Sequence, residues 1–242
     1  MYATNLLLPS GEELLLNTSA TARWSQEASN DRWFETQTAG DASQAELGIF
    51  RVWSKPRTAP NLFPSGFVRG FDVFSLPLTE SARAAVEVFD PLTDSPTADC
   101  RPKGMARIMA QPYPMEFSEH SENILLRLEE YDTVRTIRLG DSSISDDAPA
   151  TLLGYSFGRW EGDALVVETT RVSYPYFNAV GVPLSEAAEI VERFTPTADG
   201  SRLDYEMIVT DPVNFTAPVV RNTFWLYLPG QEVKPYNCAV RN

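Results

Sequence analysis

The sequence predicts a mainly β fold: an antiparallel up-and-down barrel of lipocalin-like proportions, with an N-terminal hairpin, a long coil and one short helix. Three observations carry this. After Cys100 the chain reads as strand, turn, strand in series, with Gly- and Asn-containing turns between apolar runs. Within residues 202–210, Leu203, Tyr205, Met207 and Val209 alternate with mostly polar residues, the period of a strand with one face in a core and one in water. About eight such strands with little helix favour closure, because a closed sheet leaves no edge exposed.

The elements follow in chain order. Residues 5–17 carry two leucine runs around Pro9-Ser10-Gly11 and read as a hairpin. Residues 18–46 are polar and aperiodic, punctuated by Trp24, Trp33 and Phe34, and read as an irregular segment. Residues 48–54 are a strand candidate, and the prolines and glycines of 55–77 make a long coil. Residues 79–89 are the best helix, with Thr79 as N-cap, Ala82, Val86 and Phe89 as one apolar stripe, and Asp90-Pro91 as the stop. Strands are expected at 115–119, 124–131, 133–139, 153–160, 164–171, 190–195, 202–210 and 215–228. The expected organisation is an N-terminal hairpin, coil and helix over 1–99, packed on a barrel domain over 100–242.

Composition limits the partners. The net charge is −13, spread as 7 basic and 13 acidic residues over 1–99 and 13 basic and 20 acidic over the rest. A field of that sign repels phosphate backbones, so no nucleic-acid partner is expected. No apolar run approaches the roughly 20 residues of a membrane-spanning helix. The start of this numbering lacks the basic and apolar stretches of a secretory leader; if the protein is exported, the leader is absent from this numbering. Of 20 basic residues only Lys55, Lys103 and Lys234 are lysine, which reads first as codon bias and, as the alternative, as Arg forks paired with carboxylates inside the barrel.

Cys100 and Cys238 lie in polar, proline-rich surroundings. Buried thiols are normally enclosed by apolar neighbours, so two surface turns that meet and cross-link are expected, with two unpaired thiols as the other reading. With one histidine and two cysteines, a structural zinc site of four Cys or His ligands is not expected. No metal and no cofactor are expected.

Several groups invite a chemical reading. Arg159, Glu161 and Asp163 surround Gly162 in a tight hairpin, and a glycine at positive φ explains them without catalysis; Trp160 is expected in the core. Gly154-Tyr155-Ser156-Phe157-Gly158 matches a nucleophile elbow in letters, but a strand follows where that motif needs a helix. His120 lies in a turn and is expected to be solvated. Arg127, Glu129, Arg135, Glu168, Glu192 and Arg193 fall within strands, and any that point inward must be paired. The candidate site takes Tyr113, Glu116 and Tyr155 as proton-moving residues and Arg127 and Arg193 as readers of a ligand oxygen. Tyr174, Tyr176 and Phe177 form an aromatic loop suited either to a lid over the barrel mouth or to packing beneath the coil.

The blocks Gly48–Ser54, Cys100–Met105, Gln111–Phe117, Gly158–Asp163 and Val191–Thr195, with the late cysteine, resemble an uncharacterised family of exported, β-rich bacterial proteins. The resemblance spans residues 48–240. It implies an extracytoplasmic place, periplasmic or secreted, and cysteines able to pair, and it brings no reaction with it. The N-terminal hairpin resembles the tail of a small β domain that precedes longer relatives.

Three functions fit these readings. The first is a small-molecule-binding barrel for a partly apolar organic ligand. The second is a cofactor-independent lyase, hydratase or isomerase using the same cavity, and the third is an interaction domain of an envelope assembly. The oligomeric state is open.

Overall fold

The computed structural model describes residues 6–7, 13–14, 47–55, 75–140, 144–145 and 147–239. Strands β1 (Leu6–Leu7) and β2 (Glu13–Leu14) pair antiparallel, with Leu6 opposite Leu14 and Leu7 opposite Glu13; the turn expected at Pro9-Ser10-Gly11 lies outside the described residues. Nine further strands form one sheet: β3 (Val52–Trp53), β4 (Met115–His120), β5 (Asn123–Leu128), β6 (Thr133–Leu139), β7 (Tyr155–Glu161), β8 (Ala164–Thr170), β9 (Glu189–Pro196), β10 (Arg202–Thr210) and β11 (Val219–Leu226). Their order is β11-β10-β9-β8-β7-β6-β5-β4-β3. Ser54, just past β3, exchanges backbone hydrogen bonds of 2.9 and 2.8 Å with Leu226 at the end of β11, so the two outermost strands meet and nearly close a barrel.

The ninth strand changes the expected topology. Around a ring of nine strands direction cannot alternate throughout, so closure needs at least one parallel pair. That pair is β6–β7, with Ile137 opposite Ser156 and Leu139 opposite Gly158. Every other ladder in the sheet is antiparallel.

Alternation sorts the side chains. Phe117, Leu126, Ile137, Leu165, Val167, Phe194, Leu203, Tyr205, Met207 and Trp225 are buried inside. A chain of tilted and edge-to-face rings crosses the interior, from Phe117 to Phe194 (5.2 Å), Phe194 to Tyr205 (4.9 Å) and Tyr205 to Trp225 (5.1 Å). Trp160, expected in the core, is instead 43% exposed and stands edge-on to Phe50, because its strand reaches past the packed interior into the Gly162 turn. Gly162 does take a positive φ of 62°.

Helix α1 (Glu80–Val88) begins at Thr79, whose hydroxyl accepts from the Ala82 amide. Its end docks Phe89 on Gly181, where a Cβ would lie 2.1 Å from the ring, so this glycine is fixed by close approach as well as by its φ of 79°. The helix packs on the long β8–β9 and β10–β11 connections, at the barrel end that also carries residues 100–113 and the β5–β6 turn. Cys100 and Cys238 are joined there, with Cα atoms 5.8 Å apart. No helix among the described residues is long and apolar enough to cross a membrane.

Candidate functional site

Among the described residues two buried ion pairs stand out, one within the barrel and one at its looped end. Inside, Arg135 on β6 directs Nη1 to Glu192 Oε1 at 3.0 Å and Nη2 to Glu192 Oε2. The same guanidinium donates to Ser156 (2.9 Å) and Thr169 (2.7 Å), and Tyr205 donates to Glu192 at 2.8 Å. Arg135 is 2% and Glu192 0% exposed. Burial beside the Glu192 carboxylate holds the Tyr205 phenol far above its ordinary range. This is the Arg fork on a carboxylate expected for in-facing strand charges, and five adjacent strands contribute to it. Arg221 on β11 is also buried, its guanidinium 3.9 Å from the Phe177 ring centre. Buried and fully bonded, the Arg135–Glu192 group ties strands β6 to β10 together.

The second group is open to solvent on one side. Residues 101–104 run between the disulfide and the body of the barrel. Gly104 lets them lie flat: a Cβ there would be 2.1 Å from the Leu152 carbonyl oxygen and 2.3 Å from Tyr174 Cβ. Lys103 is thereby laid against the β5–β6 turn, where its ammonium donates to Glu130 Oε1 at 2.5 Å. Their side chains are 15% and 7% exposed. Arg107 donates to the Tyr174 hydroxyl at 2.9 Å, and to Ser95 and Thr97 at 3.3 and 3.4 Å. Glu130 Oε2 and Arg107 Nε are buried with no hydrogen-bond partner among the described residues.

Beside this pair lies a groove of about 370 Å³ lined by Pro102, Lys103, Tyr131, Thr133, Val134, Thr151, Leu152 and Leu153. Val134 and Leu152 are 51% and 42% exposed there, two large apolar side chains held in water on one small surface. Tyr131 also packs on Tyr236, 4.9 Å between centres, and Tyr236 on Tyr113 at 5.4 Å. The C-terminal segment is strapped over these rings by Tyr236 N donating to Asp132, Lys234 N donating to Glu129, and the disulfide. Burial lowers the proton affinity of Lys103, offset in part by Glu130 and reinforced by Arg107. Burial, then Glu130, raises that of Tyr131. Burial, then Tyr113 beside it, pushes Tyr236 up to about 12.

The residues singled out from sequence scatter across this frame. Glu116 and Arg127 pair at 3.0 Å on the outer wall, since they alternate with buried Met115, Phe117, Leu126 and Leu128. Arg193 donates to Glu161 on the same outer face, where Glu161 also accepts from Arg159, and Arg159 in turn reaches Glu168. Tyr155 donates to the Pro149 carbonyl at 3.1 Å, with the Arg138 guanidinium 5.6 Å from its ring centre. These four therefore line no common cavity. Tyr113 joins the tyrosine group, and Tyr174 joins the Arg107 group. Tyr176 meets Phe89, and Phe177 meets Phe215 and the Arg221 guanidinium. Tyr174 and Phe177 of the aromatic loop are buried. His120 is exposed, as expected for a turn. Among the described residues no three His, Cys, Asp or Glu side chains converge as a metal site.

Sequence reasoning passed over Lys103, Arg107, Glu130 and Tyr131. The available signal was the rarity of lysine, which made Lys103 in Cys100-Arg-Pro-Lys-Gly104 unusual in its own chain. No family model matches the chain, and no curated protein or solved structure matches it.

Proposed function

We propose that the protein is an extracytoplasmic binding barrel that holds a small, partly apolar organic molecule in the groove at its looped end. The observation that carries this reading is the juxtaposition, on one groove, of exposed Val134 and Leu152 with the shielded Lys103 ammonium. The apolar wall takes the body of the ligand. An ammonium has three donors, and Glu130 uses one, so Lys103 offers the others to a carboxylate, carbonyl or hydroxyl oxygen. The Cys100–Cys238 bond supports an oxidising compartment. The barrel serves as a rigid frame, because its interior is occupied by aromatic rings and the Arg135–Glu192 network.

Native mass spectrometry of protein secreted from an expression host tests the reading. A small molecule retained by the wild type and lost from a folded Leu152→Asp variant is the expected result. Equal retention by both proteins would remove the groove from the account.

A further inference from the structure

Lys103 combines three features found together nowhere else on the described surface: an amine lining a groove, a carboxylate within a hydrogen bond of it, and a second cation close by. The other two lysines make the contrast. Lys55 is buried against Trp225 and donates to Thr223, and Lys234 stands in the exposed C-terminal segment. We propose that Lys103 captures an aldehyde or ketone covalently, as an imine, with Glu130 moving the protons. The inference rests on the groove being the ligand site and names the ligand class as a carbonyl compound with an apolar body.

The geometry suits each step. Nζ lies 2.5 Å from Glu130 Oε1, so the ammonium proton can pass directly to the carboxylate, leaving a neutral amine beside a neutral acid. Burial lowers the proton affinity of Lys103, and Arg107 close by opposes a second cation there. The amine nitrogen then attacks the carbonyl carbon. An N–C bond forms, the C=O π pair moves to oxygen, and the nitrogen proton reaches that oxygen to give a carbinolamine. Glu130 next protonates the hydroxyl as the C–O bond breaks, water leaves, and the nitrogen lone pair closes the C=N bond. The nitrogen keeps one proton and Glu130 is again a carboxylate, so one carbonyl and one ammonium give one protonated imine and one water, with no change of oxidation state. Leu152, Leu153 and Val134 cover one side of the reacting atoms and slow the return of water, while the unpartnered Glu130 Oε2 is a second acceptor for protons in transit.

The test uses the full, disulfide-intact chain with 4-methylbenzaldehyde and cyanoborohydride, which reduces the imine to a stable amine read by peptide mass mapping. An ordinary lysine is neutral in only about one molecule in 2,500 at pH 7, and Lys234 reports that background in the same sample. The expected result is saturable labelling of Lys103 at least tenfold faster than Lys234, abolished in Lys103→Arg and slowed at least tenfold in Glu130→Gln, with both variants melting as folded proteins. Labelling of Lys103 at or below the Lys234 rate, or without saturation, overturns the proposal. Binding of the apolar anion anilinonaphthalene sulfonate in parallel separates the two readings. Dye bound without labelling ends imine capture alone, and neither dye nor label ends the groove as well.

Discussion

Replacing Glu192 by Gln removes one charge from the barrel interior and changes almost nothing in shape. In the wild type its two oxygens take two N–H donors from Arg135 and the Tyr205 hydroxyl, at 0% exposure. The amide can accept on one oxygen only, and its NH₂ faces the guanidinium. Arg135, 2% exposed, is left as a buried cation without a counter-charge. Breaking a buried pair in this way costs about 3–5 kcal/mol, whereas replacing both partners by apolar groups of similar volume is often neutral. The expected outcome is a loss of about 3 kcal/mol for Glu192→Gln. The double replacement Arg135→Met, Glu192→Leu is expected to recover more than half, less the cost of stranding the hydroxyls of Ser156, Thr169 and Tyr205. Urea unfolding of the disulfide-intact protein at pH 7 measures both. A Glu192→Gln variant within about 0.5 kcal/mol of wild type would show that the pair does not hold the barrel together.

Three other outcomes follow from single contacts. Burial pushes Lys55 down to about 7, so the unfolded chain binds a proton that the folded one lacks between pH 7 and the ordinary lysine range; stability should rise with pH across that window, by at most about 5 kcal/mol, and Lys55→Met should flatten the rise in thermal melts. Removing the cross-link as Cys100→Ser, Cys238→Ser opens a loop with a sequence separation of 138, worth about 5 kcal/mol in the chain-entropy treatment, while wild type unfolded without reductant should take up no thiol reagent. Gly162→Ala should cost only about 1 kcal/mol, because its added Cβ meets nothing within 4 Å and only the φ of 62° is strained, whereas Gly104→Ala should cost more, since its Cβ would overlap Leu152 and Tyr174; equal melting temperatures for the two would contradict this.

What the sequence made legible was what local rules control. Strand β10 has the bounds its alternation predicts, the helix starts from Thr79, and β6 is bounded as expected. The paired in-facing charges were legible in kind, since an apolar interior admits Arg135 only with a partner such as Glu192. The parallel β6–β7 ladder was hidden, because residues 140–154 show no period and a strand's partner is chosen by closure of the whole ring. The strand expected within residues 48–54 is present as Val52–Trp53, but its partner was hidden, because it pairs across more than 60 residues with β4. The site was less legible still. Arg127, set between Leu126 and Leu128, was marked as outward by parity, but Arg193 between Glu192 and Phe194 was not. Lys103 sits in a Pro- and Gly-rich stretch, and Glu130 falls in the strand expected over 124–131, whereas β5 ends at Leu128 and Glu130 lies in the turn that follows. Their burial comes from distant residues, Leu152 and Tyr174, closing over Gly104.

The most direct measurement of the central claim is a fluorescence titration of the disulfide-intact chain with anilinonaphthalene sulfonate, comparing wild type, Leu152→Asp in the groove and Val220→Asp on the outer wall of β11. The groove account predicts one saturable site, weakened at least tenfold by Leu152→Asp and unchanged by Val220→Asp, with all three proteins melting within a few degrees. Affinity equal in wild type and Leu152→Asp, or lost in Val220→Asp, would contradict it.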